Sequence, residues 1–515
     1  MQIISEAEAA QLIEDGMTVT APGFSGYCHP EAVSAAVERR FLAEGAPRDL
    51  TLLFAAASGD GRGRGMGHYG FEGLTRRVIA AGWRATPNLG RMALDEKIEA
   101  HCWPQGVVAQ MYRAVAAGQP GVITRIGLGS FMDPRVDGGR LNRSTPKSLV
   151  EPLTLAGKEW LFYPAIPIDC AILRGTTADE DGNISMEDEA FWLDALAMAQ
   201  AARNSGGTVI VQVKKVVPRG ELAVGAVQIP GFLVDYVVVA QDPSQHGVNF
   251  NELDNPTYTG RERVAAHSPP PTPLTPDKVI QRRAFLEMLP LDRPVINLGV
   301  GIAAGVGRVA NEERYAYDVT VESGVIGGVP VAERGFGASV NPSAIIPQAA
   351  QFDFYDGGGL DIAFLGMAEV DITGAVNVSR FGEAVVGVGG FTNIAQSAKR
   401  VCFLGSFSTG GADIEVADGK LRIKTDGKIS KIVPKVRLVS SDPKAAAPSQ
   451  REIVITERAV FERRNGYLQL IEYAPGVDLR KDILDRLPKG ITVADDLKLM
   501  DPSIFATSAM WEIAP

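Results

Sequence analysis

Cysteine and histidine are scarce in this chain, and their scarcity removes several chemistries at once. Four cysteines, Cys28, Cys102, Cys170 and Cys402, stand far apart with no CxxC pair. That spacing argues against a disulfide framework or a thiolate zinc site and fits a reducing compartment. None of the five histidines sits in a recognisable catalytic or metal motif, and there is no P-loop. Positive charge is in deficit: 51 Lys and Arg stand against 61 Asp and Glu, for a net charge of −10. Broad binding to nucleic acid or to an anionic membrane surface is therefore not expected, although a local basic pocket for a phosphate-bearing ligand is not excluded. No apolar run is long enough to span a bilayer. The opening "MQIISEAEAAQLIEDG" has acids and helix formers where a signal peptide would have a basic and then an apolar region, so the expected location is the cytoplasm.

Hydrophobic residues make up 45% of the chain, with 56 glycines and 32 prolines. At 515 residues it is too long for one core and should form at least two domains. The plainest break is "HSPPPTPLTPD", His267 to Asp277, whose prolines suit an extended linker. The expected division is 1–267, a linker at 268–276, and 277–515; the alternative is a long proline-rich surface loop within one domain. A faint internal repeat favours two domains. "DCAILRGTTADEDGNIS" before the break and "DIAFLGMAEVDITGAVNVS" after it each run from an apolar strand to Asp-x-x-Gly, with Asp179 and Gly182 matching Asp371 and Gly374. The motif of strand, glycine turn and helix recurs on both sides. The expected class is α/β, two topologically similar domains with largely parallel sheets.

Within the second half, "DVTVESGVIGGVP" (Asp318 to Pro330) carries a buried-type strand into glycines and puts Glu322 at the junction. In open α/β sheets ligands lie beyond the carboxyl ends of strands, where this acid falls. An acid before glycine is also an ordinary turn residue. A second alternative is a dinucleotide site: Gly299, Gly301 and Gly305 form a strand-to-helix turn, and Glu322 follows Gly301 by 21 residues. A third is a carboxylate nucleophile attacking an activated acyl group such as a thioester. That chemistry needs oxyanion donors and exclusion of water but no histidine, metal or P-loop.

These residues resemble family I coenzyme A transferases of the single-chain short-chain acyl-CoA type (acetate or propionate CoA-transferases), over nearly the whole chain. "TVESGVIGGVP" is similar to the family's catalytic-glutamate motif, "NLGVGIA" to the start of its β half and "PGFSGYCHPEAV" to the opening of its α half. The proline-rich stretch sits where the halves are fused. The resemblance implies Glu322 as nucleophile and Gln105 and Asn377 near the acyl oxygen. It implies a loop "GVGGFTNIAQSAKRV" in which Gly389 and Gly390 offer backbone N–H groups and Gly387 and Lys399 meet CoA. It further implies CoA as substrate and covalent partner with no permanently bound cofactor and no metal. Small carboxylic acids would be the other substrates, in short-chain fatty acid or ketone body metabolism, and the assembly a homotetramer. A hydrolase on the same fold, with water intercepting the intermediate, is the enzymatic alternative. Cys28 and His29 are expected to pack and not to pair as nucleophile and base. "GRGRGMGHYG", Gly61 to Gly70, is either a CoA-phosphate loop or a solvated one.

Overall fold

The computed structural model describes residues 1–265, 271–332, 335–382 and 384–510. The chain divides into two compact units. The first holds Met1–Val264, Val321–Asp353 and Ser379–Asn393, and the second holds Ala265–Thr320, Phe354–Val378 and Ile394–Pro515.

In the first unit, runs such as Leu50–Phe54 (LTLLF) are mostly apolar and are buried at every position, as strands covered on both faces must be. The strands are β1 (Gln2–Ile4), β2 (Thr18–Thr20), β3 (Leu50–Phe54), β4 (Thr75–Ala80), β5 (Glu99–Cys102), β6 (Cys170–Arg174), β7 (Thr208–Val213) and β8 (Tyr236–Val239). They form one sheet in the order β1-β8-β7-β6-β2-β3-β4-β5, with every neighbouring pair parallel. Leu50, Leu52 and Phe54 of β3 join Val78 of β4, Ile172 of β6 and Ile210 of β7 in a core closed by Val33 and Val37 of helix α1 (Glu31–Glu44). Helices α2 (Gln105–Ala116) and α3 (Ala195–Asn204) follow β5 and precede β7. A second apolar cluster gathers Phe24, Tyr27, Phe191 and Tyr258 with Val321 and Val325. It anchors the returning segment on either side of Glu322.

The second unit repeats the plan with β9 (Val295–Leu298), β10 (Asp318–Thr320), β11 (Ile362–Gly366), β12 (Arg400–Leu404), β13 (Arg451–Ile455), β14 (Ala459–Arg464), β15 (Tyr467–Tyr473) and β16 (Thr492–Leu499). Their order is β10-β9-β11-β12-β13-β14-β15-β16. Neighbours are parallel as far as β13, and the pairs β13–β14 and β14–β15 are antiparallel. The protein is thus α/β with largely parallel sheets. The internal repeat survives as one turn in each unit. Gly182 N–H donates to Asp179 O at 2.9 Å and Gly374 N–H to Asp371 O at 3.0 Å, with φ of 84° and 90° at the two glycines. Asp179 Oδ1 accepts from the N–H groups of Asp181 and Asn183, and Asp371 Oδ1 from those of Thr373 and Ala375. Each is an aspartate folding back on its own turn.

The chain leaves the first unit after Val264. The first part of the expected linker (268–270) lies outside the described residues. Residues 271–275 carry no regular element before helix α4 (Pro276–Phe285), which is capped by the Thr275 hydroxyl accepting from Lys278 N–H at 3.2 Å. The second half then returns twice to the first unit, so Glu322 belongs with β1–β8. No described helix is long and apolar enough to cross a membrane.

Candidate active site

Val321 to Gly324 form a tight turn that puts Glu322 at its first central position. Gly324 N–H donates to Val321 O at 3.0 Å, and Val321 N–H to Val325 O at 2.9 Å. Gly324 has φ of 99°, and a Cβ there would lie 1.9 Å from Ile346 O, so glycine is obligatory. Ser323 is fully buried and its hydroxyl donates to Gly337 O at 2.6 Å. The turn is therefore held at both shoulders while the Glu322 side chain, 9% exposed, stays clear. Burial pushes its carboxyl up from 4.5 to about 7, and a bond from its own backbone N–H opposes this. Among the described residues it has no salt-bridge partner. A carboxylate that is poorly hydrated and unpaired is more basic and more nucleophilic than one in water.

The glycine loop approaches this carboxylate. A Cβ on Gly390 would stand 3.0 Å from Glu322 Cγ and 3.3 Å from Oε1, so the missing side chain is what admits the backbone. The loop is tied to the carboxyl ends of the first unit's strands, where α/β sheets place ligands. Trp83 N–H donates to Val386 O at 2.9 Å, Gly389 N–H to Ala81 O at 3.0 Å, and Gln105 N–H to Gly389 O at 3.0 Å. A Cβ at Gly387, φ 77°, would meet Ala81 O at 2.2 Å. These ties correct one expectation. The Gly389 N–H is spent on Ala81, so Gly389 shapes the loop and offers no donor. The Gly390 N–H has no partner among the described residues and remains the backbone donor beside Glu322. Gly387 likewise serves close approach.

Gln105 opens α2 just beyond β5 and is 3% exposed. Its Nε2 donates to Gln348 Oε1 at 3.3 Å, and Gln348 Nε2 donates to Asp194 Oδ2 at 2.9 Å. Gln348 and Asp194 were not legible as site residues. Each is a single polar residue at a helix start, "IIPQAAQ" and "FWLDALA", and only the fold brings them to Gln105. Asn377 and Lys399 belong to the second unit. Asn377 is buried and donates to Glu369 Oε1 at 3.0 Å. Lys399 lies at the amino end of β12, exposed and ion-paired to Asp361 at 2.8 Å. The turn at Gly299, Gly301 and Gly305 is also in the second unit, where a Cβ on Gly305 would meet the Gln281 amide at 2.2 Å. That glycine serves helix packing. Cys28 donates to Phe191 O at 3.1 Å, while His29 is held by Ser34 at 2.8 Å and pushed down to about 4 by burial; they pack apart. In the Gly61–Gly70 loop Arg64 pairs with Glu31 at 3.0 Å and lies over the Phe250 ring, so it is not free for a phosphate.

A glutamate turn, a glycine loop and a helix-opening glutamine gathered at strand ends are features that comparison with known proteins can test. The Coenzyme A transferase family matches residues 3–240. The chain is 43% identical to a caffeate CoA-transferase of Acetobacterium woodii over 99% of its own length and 98% of that protein's. The chain belongs to the coenzyme A transferase family. It is a CoA-transferase. It is also 40% identical to the acetate CoA-transferase YdiF of Escherichia coli (strain K12), covering 100% of this chain and 97% of the relative. A solved structure of acyl-CoA transferase YdiF from E. coli O157:H7, described as a thioester complex with CoA, superposes with a TM-score of 0.91 at 39% identity, covering 99% and 97% of the two chains. The transferase therefore shares that fold throughout.

Proposed function

We propose that the transferase moves CoA between a short-chain acyl-CoA and a free carboxylate through covalent intermediates on Glu322. The observation that carries this is the buried, unpaired Glu322 with the unpartnered Gly390 N–H beside it. A Glu322 oxygen attacks the thioester carbonyl. The C–S bond breaks, CoA leaves as thiolate, and an acyl-glutamyl anhydride forms. The thiolate attacks the glutamyl carbonyl and expels the first carboxylate, leaving a glutamyl-CoA thioester. An acceptor carboxylate reverses both steps and frees Glu322. Charge develops on the carbonyl oxygen, and the donors offered to it are Gly390 N–H and Gln105 Nε2. Glu322 is screened from water, which favours transfer over hydrolysis of the anhydride. Asn377 and Lys399, held by Glu369 and Asp361, are given no step.

The relatives' names bracket the acid between acetate and caffeate, and the proposal takes acetate, propionate, butyrate and acetoacetate as the working class. It keeps residues 1–267 as the α half and 277–515 as the β half, with CoA as substrate and no resident cofactor. It places the enzyme in the cytoplasm, in short-chain fatty acid or ketone body metabolism, as a homotetramer; four buried, unbridged cysteines fit a reducing compartment. Initial-rate kinetics with acetyl-CoA and propionate test the mechanism. Parallel double-reciprocal lines are expected, together with a loss of at least about 10³-fold in kcat for Glu322→Gln. Intersecting lines or an active Glu322→Gln would overturn it.

A further inference from the structure

We propose that Asp194 is a positioning residue: through Gln348 it sets the Gln105 amide as the donor to the acyl oxygen at Glu322. The inference rests on the reading of Glu322 and Gln105 given above.

Asp194 occupies the N-cap position of α3, where an aspartate normally accepts from the first turn of its own helix. It makes no such bond. Its oxygens are turned instead to the first turn of another helix, α5 (Gln348–Asp356), with Oδ1 accepting from Ala349 N–H at 3.1 Å and Oδ2 from Gln348 Nε2 at 2.9 Å. The preceding residue, Leu193, has φ of 49°, a left-handed conformation that non-glycine residues keep only where their surroundings over-determine it. In that conformation Leu193 O accepts Gln348 N–H at 3.1 Å. Three acceptors on two consecutive residues therefore grip the start of α5, and one of them grips a side chain.

The consequence is directional. A carboxylate accepts hydrogen bonds and cannot donate them, whereas an amide can be turned either way. Asp194, 4% exposed, obliges Gln348 to turn its NH₂ inward. Gln348 Oε1 then faces Gln105, so Gln105 must present Nε2, as it does at 3.3 Å. The second N–H of that nitrogen is left for an acyl oxygen. Gln105 is held in place by its own N–H on Gly389 O at 3.0 Å, one residue from Gly390, where an added Cβ would stand 3.0 Å from Glu322 Cγ. A cavity of about 10 Å³, enough for one water, borders the relay between Ala21, Gly23, Ala56, Leu193, Asp194 and Gln348.

Protonation of Asp194 would erase the direction, because a carboxylic acid can donate as well as accept. Burial raises its carboxyl from 3.8 to about 7, against the opposing bonds from Ala349 and Gln348 and the charge of Arg113. The charged and titratable groups facing it are Arg113 and Tyr112 on α2. Arg113 is paired to Asp353 of α5 at 2.6 Å, and the Tyr112 hydroxyl donates to Leu53 O at 3.1 Å. Glu322 is the other acid of the site in this range.

The test uses full-length wild type, Asp194→Asn and Gln348→Leu, with acetyl-CoA and propionate across pH 5 to 9. Mass spectrometry also follows the rate of adduct formation on Glu322. Asp194→Asn should lower kcat about 10- to 100-fold with KM for acetyl-CoA changed by less than about two-fold, as for a misplaced oxyanion donor. The acid limb of log kcat/KM should have a limiting slope of about 2 in wild type and about 1 in Asp194→Asn. Gln348→Leu leaves the Asp194 bond to Ala349 intact and should show the same loss in kcat. Asp194→Asn or Gln348→Leu with wild-type kcat, or an unchanged slope in Asp194→Asn, overturns the proposal while adduct formation by wild type leaves the Glu322 reading standing. A wild type that forms no adduct overturns that reading, and this proposal with it.

Discussion

Alanine at Gly390 probes how closely the loop and the nucleophile are fitted. The new methyl would stand 3.0 Å from Glu322 Cγ, 3.3 Å from Oε1 and 3.0 Å from Phe352 Cζ. Carbon atoms rest at about 3.5–4.0 Å, so the methyl is short by about half an ångström on two sides. Phe352 is fully buried and cannot give way, so the carboxylate moves. Overpacking of this kind costs about 1–3 kcal/mol, and displacing a reacting group by about 1 Å costs up to about 10²-fold in rate. Gly389→Ala is the control. Its φ of 53° strains a side chain by about 1–2 kcal/mol, but its Cβ would lie 3.6 Å from Gln105 Oε1, an ordinary contact. Both variants should unfold at lower temperature than wild type. Gly390→Ala should lose about 10- to 100-fold in kcat/KM, and Gly389→Ala less than about five-fold, measured with acetyl-CoA and propionate. Equal losses in the two variants, or full activity in Gly390→Ala, would refute the account of the loop.

Three further expectations concern stability. Glu322, raised from 4.5 to about 7, holds a proton in the folded state that the unfolded chain releases. Its contribution therefore falls as pH rises across that window, reaching a cost of about 3 kcal/mol above it; Glu322→Gln should melt higher than wild type at pH 8, with the difference vanishing toward pH 4, and a constant difference would contradict this. His68 sits between Glu31 and Glu38, whose carboxylates raise its pKa against the effect of burial. The stability it adds is complete below pH 6.5 and lost as pH rises through its folded value, so His68→Gln should lower Tm more at pH 6 than at pH 9. Arg174 meets Glu189 at 3.0 Å with both side chains buried; Arg174→Met strands that charge and should cost about 3–5 kcal/mol, seen as a lower urea midpoint, and an unmoved midpoint would count against a buried ion pair.

What the sequence disclosed about this protein follows the range of the interactions involved. Glu322 was legible because its turn is local: Val321, Gly324 and Val325 close on one another within a few residues, and the glycine that this demands is visible in "VESGV". The repeat was legible for the same reason, since Asp179 and Asp371 each bond their own turn. Nothing local in the sequence announces that residues 321–353 and 379–393 return to the first unit. That return depends on apolar contacts of Val321 and Val325 with Phe24, Tyr27 and Phe191, almost three hundred residues away for the earliest of them by numbering. Glycine content shows where backbone can approach a ligand, not which N–H groups are already bonded, so the bond from Gly389 N–H to Ala81 O is not visible in the sequence. Asp194 was invisible because its local sequence describes an ordinary N-cap, and the fold commits it to a different helix.

The central claim is that Glu322 carries CoA covalently. Intact-protein mass spectrometry after mixing with acetyl-CoA, without an acceptor acid, tests it most directly. The account predicts a gain equal to CoA less one water, mapped to the peptide containing Glu322 and absent from Glu322→Gln. A wild type that consumes acetyl-CoA without any adduct, or an adduct that persists in Glu322→Gln, would contradict it.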